Sequence, residues 1–487
     1  MTASTLPAPA TPLGSRRGIA ILLLLSLVQF MDVLDGSILN IALPSIKRDL
    51  GFSQQSLQWV YDGYLLTYGG FLLLGGRIAD LLGRRLVLTT GLVVFAGSSL
   101  AGGLAHSSSL LVGARFAQGL GAAMLSPAAL STLTTTFRTA HDRHTALGVW
   151  GAISGLGAAA GVIFGGLLTE GPGWRWVLFV NVPFSAVCFV GAFALLHRER
   201  PRLRAGRFDT LGALLVTGGM LLLVYALVKA PEVGWGTAQT IASLAGAVVI
   251  LAAFVVNELR VEHPLVPLSI LRVKGVAVAD ATQMIAVGGF VPMFFFLTLY
   301  MQTVLHYSPI QTGVAYLPLS GGFIVSSGIA SQLFGRVGTK PVIVAGAAIV
   351  AAGLYWLGQI PVDGSYTTDI LPGLLVVSLG GGGVFVGLTT AANAGVGEDK
   401  AGLAAGLLNT GQQLGTALGL ATLSALATAR TTSLLGDGHG ALHAATGGYQ
   451  RGLVGGAAFV LAGGALTLVA SRGRKKVAEE QPATAGV

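Results

Sequence analysis

The chain is a succession of apolar runs, each long enough to cross a bilayer, and this pattern narrows its possible folds more than any motif does. The runs lie near residues 19–42, 57–78, 84–105, 109–136, 145–168, 174–196, 209–229, 237–258, 275–305, 309–334, 340–360, 368–396, 401–429 and 447–470. A hydrocarbon core about 30 Å thick asks for about 20 apolar residues of helix. Strands of a closed barrel need only about 10 residues of alternating polarity. Unbroken runs of twice that length exclude the barrel and predict an all-α polytopic membrane protein with fourteen transmembrane helices. Composition agrees, because only 10% of the 487 residues are charged and the mean hydropathy is +0.75, whereas a soluble domain carries about a quarter charged residues.

The net charge of +9 does not point to nucleic acid, because of where the cations fall. With a cytoplasmic N-terminus, 22 of the 29 Lys and Arg lie in inner segments and six (Lys47, Arg48, Arg175, Lys229, Arg430, Arg451) in outer ones, leaving Arg115 within a span. That bias is the positive-inside rule. It places both termini in the cytoplasm of a multi-pass plasma-membrane protein whose surroundings are lipid. The first run is too long for a signal-peptide core, lacks a small-residue cleavage pattern, and is expected to be retained.

The loops are short apart from the basic segment at 197–209 and an outer segment at about 430–446, which leaves no room for a soluble catalytic domain. The single cysteine, Cys188, lies in an apolar run, so neither a disulfide framework nor a metal cluster is expected. His439 and His443, four residues apart in the last outer loop, read as solvated loop residues rather than a metal pair. No His, Ser or Cys constellation gathers at a membrane boundary, and the tail after Arg472 is too short for an output domain. An enzyme or a sensor is therefore disfavoured, and no cofactor is expected.

Acids within spans carry the functional signal. An ionised side chain at the bilayer centre costs at least about 2.5–3.5 kcal/mol on insertion scales, so it normally faces a cavity or a partner. The stretch "QFMDVLDGSILNIALP" at 29–44 holds both Asp32 and Asp35. At 1.5 Å rise per residue, Asp35 lies about 10 Å below the outer end of its span, Asp62 about 8 Å below the start of the second, and Arg115 about 9 Å below that of the fourth. The three share a layer, where an Arg has reason to pair with a carboxylate. Gln29, Asp32, Gly36 and Asn40 form a polar stripe on one helix face. Two readings stand: a static Asp–Arg staple, or a protonatable site whose charge follows transport. Asp280 is a second candidate acid, for a proton or a substrate.

Other spans suggest packing and cavity roles. The fifth carries Gly157, Gly161, Gly165 and Gly166, and small residues four apart let helices approach closely. Such an interface is either plain packing or a gate. The thirteenth repeats the device at Gly411, Gly415 and Gly419 and adds Asn409, Gln412, Gln413 and Thr416, of which the three amides suit a cavity wall. The ninth carries Phe290, Phe294, Phe295, Phe296 and Tyr300, which read either as a surface for planar lipophilic ligands or as lipid-facing filler.

A weak repeat links "GGRIADLLGRRLVL" after the second span to "SQLFGRVGTKPVI" after the tenth. It predicts two six-helix bundles, at 19–196 and 274–470, with a basic linker and inserted hairpin at 197–273 and cytoplasmic tails at 1–18 and 471–487.

Over nearly its whole length the chain resembles the fourteen-span drug:proton antiporters of the major facilitator superfamily. "LDGSILNIALP" (34–44) looks like that family's first-span motif, "GRIADLLGRR" (76–85) like the superfamily's loop signature, and "LVGARFAQGLGAA" (111–123) like its fourth-span motif. The resemblance implies that Asp35 and Arg115 act together in proton handling, and that Gly76, Asp80, Gly83, Arg84 and Arg85 latch the cytoplasmic side. "WVYDGYLL" (59–66) resembles exporters with an acid in span 2, a subset linked to cationic compounds. The fifth span departs from the antiporter pattern, with Val162 where that motif has proline.

The expected activity is proton-coupled antiport, driven by a proton gradient, that exports lipophilic cationic or amphiphilic drugs by alternating access. The expected partners are a small-molecule substrate, protons and the bilayer, for a monomer that binds no nucleic acid. The alternative is an exporter dedicated to one endogenous metabolite or antibiotic, serving self-resistance.

Overall fold

Inside hydrocarbon every backbone N–H and C=O must find its partner within its own segment, which favours helices over open strands. The computed structural model describes residues 12–137, 139–197, 209–262, 264, 270, 271, 273, 275–393 and 401–479, and no strand occurs among them. The helices are α1 (Arg16–Leu50), α2 (Gln54–Leu82), α3 (Arg84–Gly103), α4 (Ser108–Thr136), α5 (Ala140–Glu170), α6 (Trp176–Phe179), α7 (Asn181–Leu195), α8 (Thr210–Val233), α9 (Ala238–Arg260), α10 (Val276–Phe290), α11 (Pro292–Thr303), α12 (Pro309–Ala315), α13 (Leu317–Val337), α14 (Thr339–Leu357), α15 (Leu371–Asn393), α16 (Ala401–Gly436) and α17 (Ala441–Glu479). A π turn at Tyr366–Ile370 leads into α15.

Ten segments among the described residues are long and apolar enough to cross a membrane: α1, α3, α6 with α7, the first part of α8, α9, α10 with α11, α12 with α13, α14, the π turn with α15, and α17. Between them lie α2, α4, α5 and α16, which run 29, 29, 31 and 36 residues. Hydroxyl and carboxylate caps start many of these helices; the Ser15 side chain accepts from Gly18 N, and that of Asp209 from Gly212 N. α9 turns Ile241, Val248, Val249 and Leu259 outwards, each more than half exposed. Such an unburied apolar face suits lipid.

Several run boundaries differ from the sequence reading. The ninth run is broken between α10 and α11, where Pro292 has no N–H to give. The tenth is broken before Pro318. The expected outer loop at 430–446 is mostly helix, because α16 runs to Gly436 and α17 begins at Ala441. His439 and His443 stack with ring centroids 4.8 Å apart, and no group of three metal-ligating side chains occurs among the described residues. Most of the basic segment 197–209 lies outside the described residues.

Helix pairing follows one scheme twice. α1 packs on α5 and α7, and α4 on α2 and α3, while α3 also meets α7; likewise α10 packs on α16 and α17, and α15 on α13 and α14, while α14 meets α17. The two loop segments linked by sequence are both single-glycine joints, Gly83 (φ 99°) between α2 and α3 and Gly338 (φ 81°) between α13 and α14. With ψ of 133° and 167°, both occupy a backbone region that is essentially closed to residues with a Cβ. α8 pairs with α9 and rests on α2 and α16.

The two sets meet through α2 with α16, α1 with α11, and α5 with α12. The face carrying the start of α1, here the terminal face, also holds the start of α5 and the end of α7, through Leu13 N to Asp142 Oδ2 (3.4 Å) and Arg17 Nη2 to the Leu195 carbonyl (3.0 Å). On the opposite face, Arg175 and the Trp174 indole both donate to Asp49 at the end of α1, at 2.8 and 2.9 Å.

Candidate functional site

Asp35 sits at the centre of a fully enclosed polar knot. Its Oδ2 accepts from Arg115 Nη1 at 2.7 Å, and both side chains are completely buried. Its Oδ1 accepts from Gln118 Nε2 at 2.8 Å and from Asn181 Nδ2 at 2.6 Å. Gln118 also bonds Arg115 through its oxygen (2.6 Å) and Ser99 Oγ through its amide (2.7 Å). Arg115 Nε donates to the Val60 carbonyl at 3.0 Å, and its guanidinium lies 4.3 Å over the Tyr64 ring. Five helices, α1, α2, α3, α4 and α7, thus converge on one ion pair. The pair and its amide donors offset much of the cost of burying two charges, while Arg115 Nη2 and Asn181 Oδ1 are buried without a hydrogen-bond partner.

Asp62, expected in the same layer, is fully buried, and neither of its carboxylate oxygens has a hydrogen-bond partner. The knot therefore takes in Asp35 and Arg115 without bonding Asp62. An isolated ionised carboxylate is costly to bury, and a proton on Asp62 removes that cost.

Asp32, one turn before Asp35, faces elsewhere. Tyr64 and Tyr68 donate their hydroxyls to its two oxygens at 2.8 and 2.7 Å. These three residues line a cavity of about 240 Å³ between the two sets of helices. Asn40, Tyr61, Phe294, Tyr316, Gln412, Gln413 and Thr416 are in its wall, and Asp32 is the one charged side chain among its described lining residues. Such a wall can hold a lipophilic molecule by aromatic and apolar contact and orient a cationic group at the carboxylate.

Of the residues expected in a cavity, Asp32, Asn40, Phe294, Gln412 and Gln413 line it, and four do not. Tyr300 is buried on the other side of α11, where its hydroxyl donates to the Pro361 carbonyl at 2.6 Å. Asn409 donates to Ser126 Oγ at 3.3 Å, joining α16 to α4. Gln29 belongs to the same stripe as Asp32 but lies outside the wall. Asp280 lies on α10 with both carboxylate oxygens unbonded, apart from the cavity. The span 9 aromatics do not face lipid: Phe290, Phe295, Phe296 and Tyr300 are all buried, and Phe290 packs its ring against those of Phe294, Phe323 and Phe385.

The fifth-span glycines divide. A Cβ on Gly157 or Gly165 would press on the carbonyls of Phe30 or Ile38, at 3.0 and 2.8 Å, and one on Gly161 would meet Ser37 and Leu34. These three seat α5 on α1 within one set of helices. Gly166 instead faces Pro309 and Ile310 of α12, in the other set. α5 continues unbroken through Val162, whose carbonyl lies against Gly313.

In the loop signature, Gly76 abuts Pro127, and Gly83 is the joint already described. Arg84 donates to Ser131 Oγ at 2.6 Å and to Thr135 Oγ1 at 3.2 Å, both on α4. Arg85 donates to the Leu196 carbonyl at 3.0 Å and stacks over Phe193. The Asp80 side chain lies outside the described residues.

Sequence reasoning passed over Gln118, Asn181, Ser99, Tyr64 and Tyr68. One signal was available: Tyr64 and Tyr68 are four residues apart, which puts them on the same helix face.

Residues 25–420 match the profile of the Major Facilitator Superfamily. The chain is 43% identical over 425 residues to the puromycin resistance protein pur8 of Streptomyces alboniger, covering 86% of this chain and 83% of that one. It is 42% identical over 406 residues to the cephamycin export protein CmcT of Amycolatopsis lactamdurans, covering 82% and 83%. Among solved structures, the POT family transporter PepTSo aligns with a TM-score of 0.68 at 15% identity, covering 96% and 99%; that likeness concerns the fold.

Proposed function

The chain belongs to the major facilitator superfamily, and from that premise we propose that it is a proton-coupled exporter of lipophilic, cationic or amphiphilic antibiotics rather than an enzyme. The observation that carries this reading is the placing of three acids in three surroundings: Asp32 in the wall of a cavity, Asp35 paired with Arg115, and Asp62 buried without a hydrogen-bond partner. A cavity whose one described charge is a carboxylate suits a cation. Two further acids close by, one held by an arginine and one able to carry a proton, supply the means to link substrate and proton occupancy.

In this reading fourteen helices span the plasma membrane with both termini cytoplasmic, so that the terminal face is the inner one. Residues 19–196 and 274–470 form two six-helix bundles around the cavity, with an inserted hairpin at 197–273; the twice-repeated pairing scheme supports that division. The bundles rock about the cavity in alternating access. Gly166 against α12 belongs to the outer closure, and the loop signature with Asp80 to the inner latch. The transporter works as a monomer and draws on the proton gradient without a cofactor.

The alternative, export of one antibiotic for self-resistance, gains support from relatives named for single compounds, puromycin and cephamycin. Resistance profiles of intact cells separate the two readings: a dedicated exporter protects against one scaffold, a multidrug exporter against several.

The reading is tested in proteoliposomes. An imposed pH gradient, acidic on the side that receives the substrate, should drive a lipophilic cationic dye uphill, and Asp35→Asn should abolish that movement. Movement that ignores the gradient overturns proton coupling.

A further inference from the structure

Tyr64 touches both charged centres. Its hydroxyl donates to the cavity acid Asp32 at 2.8 Å, and the face of its ring lies 4.3 Å from the guanidinium carbon of Arg115. Tyr68, the other donor to Asp32, has its bond at 2.7 Å, while the ring under Arg115 is that of Tyr64. The backbone beneath Tyr64 is pinned. Val60, one turn earlier, accepts from Arg115 Nε, Thr67 donates to the Phe116 carbonyl at 2.8 Å, and a Cβ on Gly119 would collide with the Tyr64 carbonyl. With α2 fixed against α4, the freedom left at Tyr64 is in its side chain.

We propose that Tyr64 is the positioning residue through which occupancy of Asp32 reaches the buried Asp35–Arg115 pair. The inference rests on the antiport reading above. A cation arriving at Asp32 competes for the carboxylate oxygen that Tyr64 holds. Once released, the ring shifts beneath Arg115, because hydroxyl and ring form one rigid plane. A guanidinium that loses its aromatic face settles differently against Asp35, and the proton balance of the buried acids changes with it. The substrate need never touch Asp35.

Tyr64→Phe and Tyr68→Phe make a matched pair, since each removes one phenolic donor from Asp32, but only the first frees from Asp32 the ring that lies against Arg115, a ring that phenylalanine keeps. The full chain, purified and lightly buffered with a pH dye, is titrated with tetraphenylphosphonium while binding and proton release are both recorded. Wild type should release protons as it binds; if it releases none, the antiport reading itself fails. Given release by wild type, both variants should bind the cation within about tenfold of each other, as expected for loss of one hydrogen bond. Proton release per bound cation should be lost in Tyr64→Phe and kept in Tyr68→Phe. Tyr64→Leu, which removes hydroxyl and ring together, should behave as Tyr64→Phe and serves if the latter does not fold. Equal release from the two phenylalanine variants, whether both keep it or both lose it, or loss in Tyr68→Phe alone, overturns the role of Tyr64.

Discussion

Arg115 and Asp35 meet at 2.7 Å with neither side chain exposed, and Arg115 satisfies Val60 and Gln118 from the same guanidinium. Removing the arginine leaves a buried carboxylate with only amide donors. Arg115→Ala should therefore lower stability by about 3–5 kcal/mol, the cost of breaking a buried pair from one side. Arg115→Lys should recover only part of it, because an ammonium lacks the planar fork that reaches three acceptors. Thermal unfolding in detergent, followed by tryptophan fluorescence, checks the order wild type, Lys, Ala.

The clasp on the opposite face gives a contrast. Arg175 and Asp49 also meet at 2.8 Å, but their side chains are 32% and 45% exposed. Exposed pairs contribute about 0–1 kcal/mol and are screened by salt. Arg175→Ala should shift the same melting curve far less than Arg115→Ala, and the difference from wild type should shrink at high salt.

Glycines on the fifth span should behave as packing demands. Gly161→Ala drives a Cβ into Ser37 and Leu34 and should cost about 1–3 kcal/mol, as overpacking does. Gly97, exposed on α3 with open space around it, should accept alanine with a gain of up to about 1 kcal/mol from helix propensity. Melting curves of the two variants should move in opposite directions.

Tyr300 and Phe294 separate core from cavity. Tyr300→Phe loses a hydrogen bond to Pro361, worth about 1 kcal/mol, and should leave substrate affinity unchanged. Phe294→Ala opens the cavity wall and should weaken binding of a lipophilic cation severalfold, read by fluorescence titration.

The sequence made some of these relationships legible and concealed others for physical reasons. Depth along a helix is simple arithmetic, so the meeting of Asp35 and Arg115 could be anticipated from two span boundaries. Azimuth is harder, because it depends on how neighbouring helices rotate and break. At 100° per residue, Tyr300 stands about 120° around the helix from Phe294, so the pair could not share one wall. Treating the aromatics of span 9 as a single surface overlooked that. Asp62 drew attention in "WVYDGYLL" because an acid in a span is conspicuous. Tyr64, two residues on, looks like any buried aromatic until Asp32 and Arg115 are seen on its two sides. Gln118 and Asn181 were hidden likewise, since an amide signals its role only through the carboxylate it finds. Repetition was the most legible feature at long range. The glycines after spans 2 and 10 marked equivalent joints, and both prove to be positive-φ links between consecutive helices.

In the proposed exporter Asp32 and Asp35 divide the labour: Asp32 receives the substrate, and Asp35 with Arg115 governs the proton. This division is tested by measuring tetraphenylphosphonium binding and proton release together for Asp32→Asn and Asp35→Asn. Asp32→Asn should lose cation binding, and Asp35→Asn should still bind the cation yet release no proton. Wild-type binding in Asp32→Asn with proton release lost there, alongside intact release in Asp35→Asn, would contradict the account.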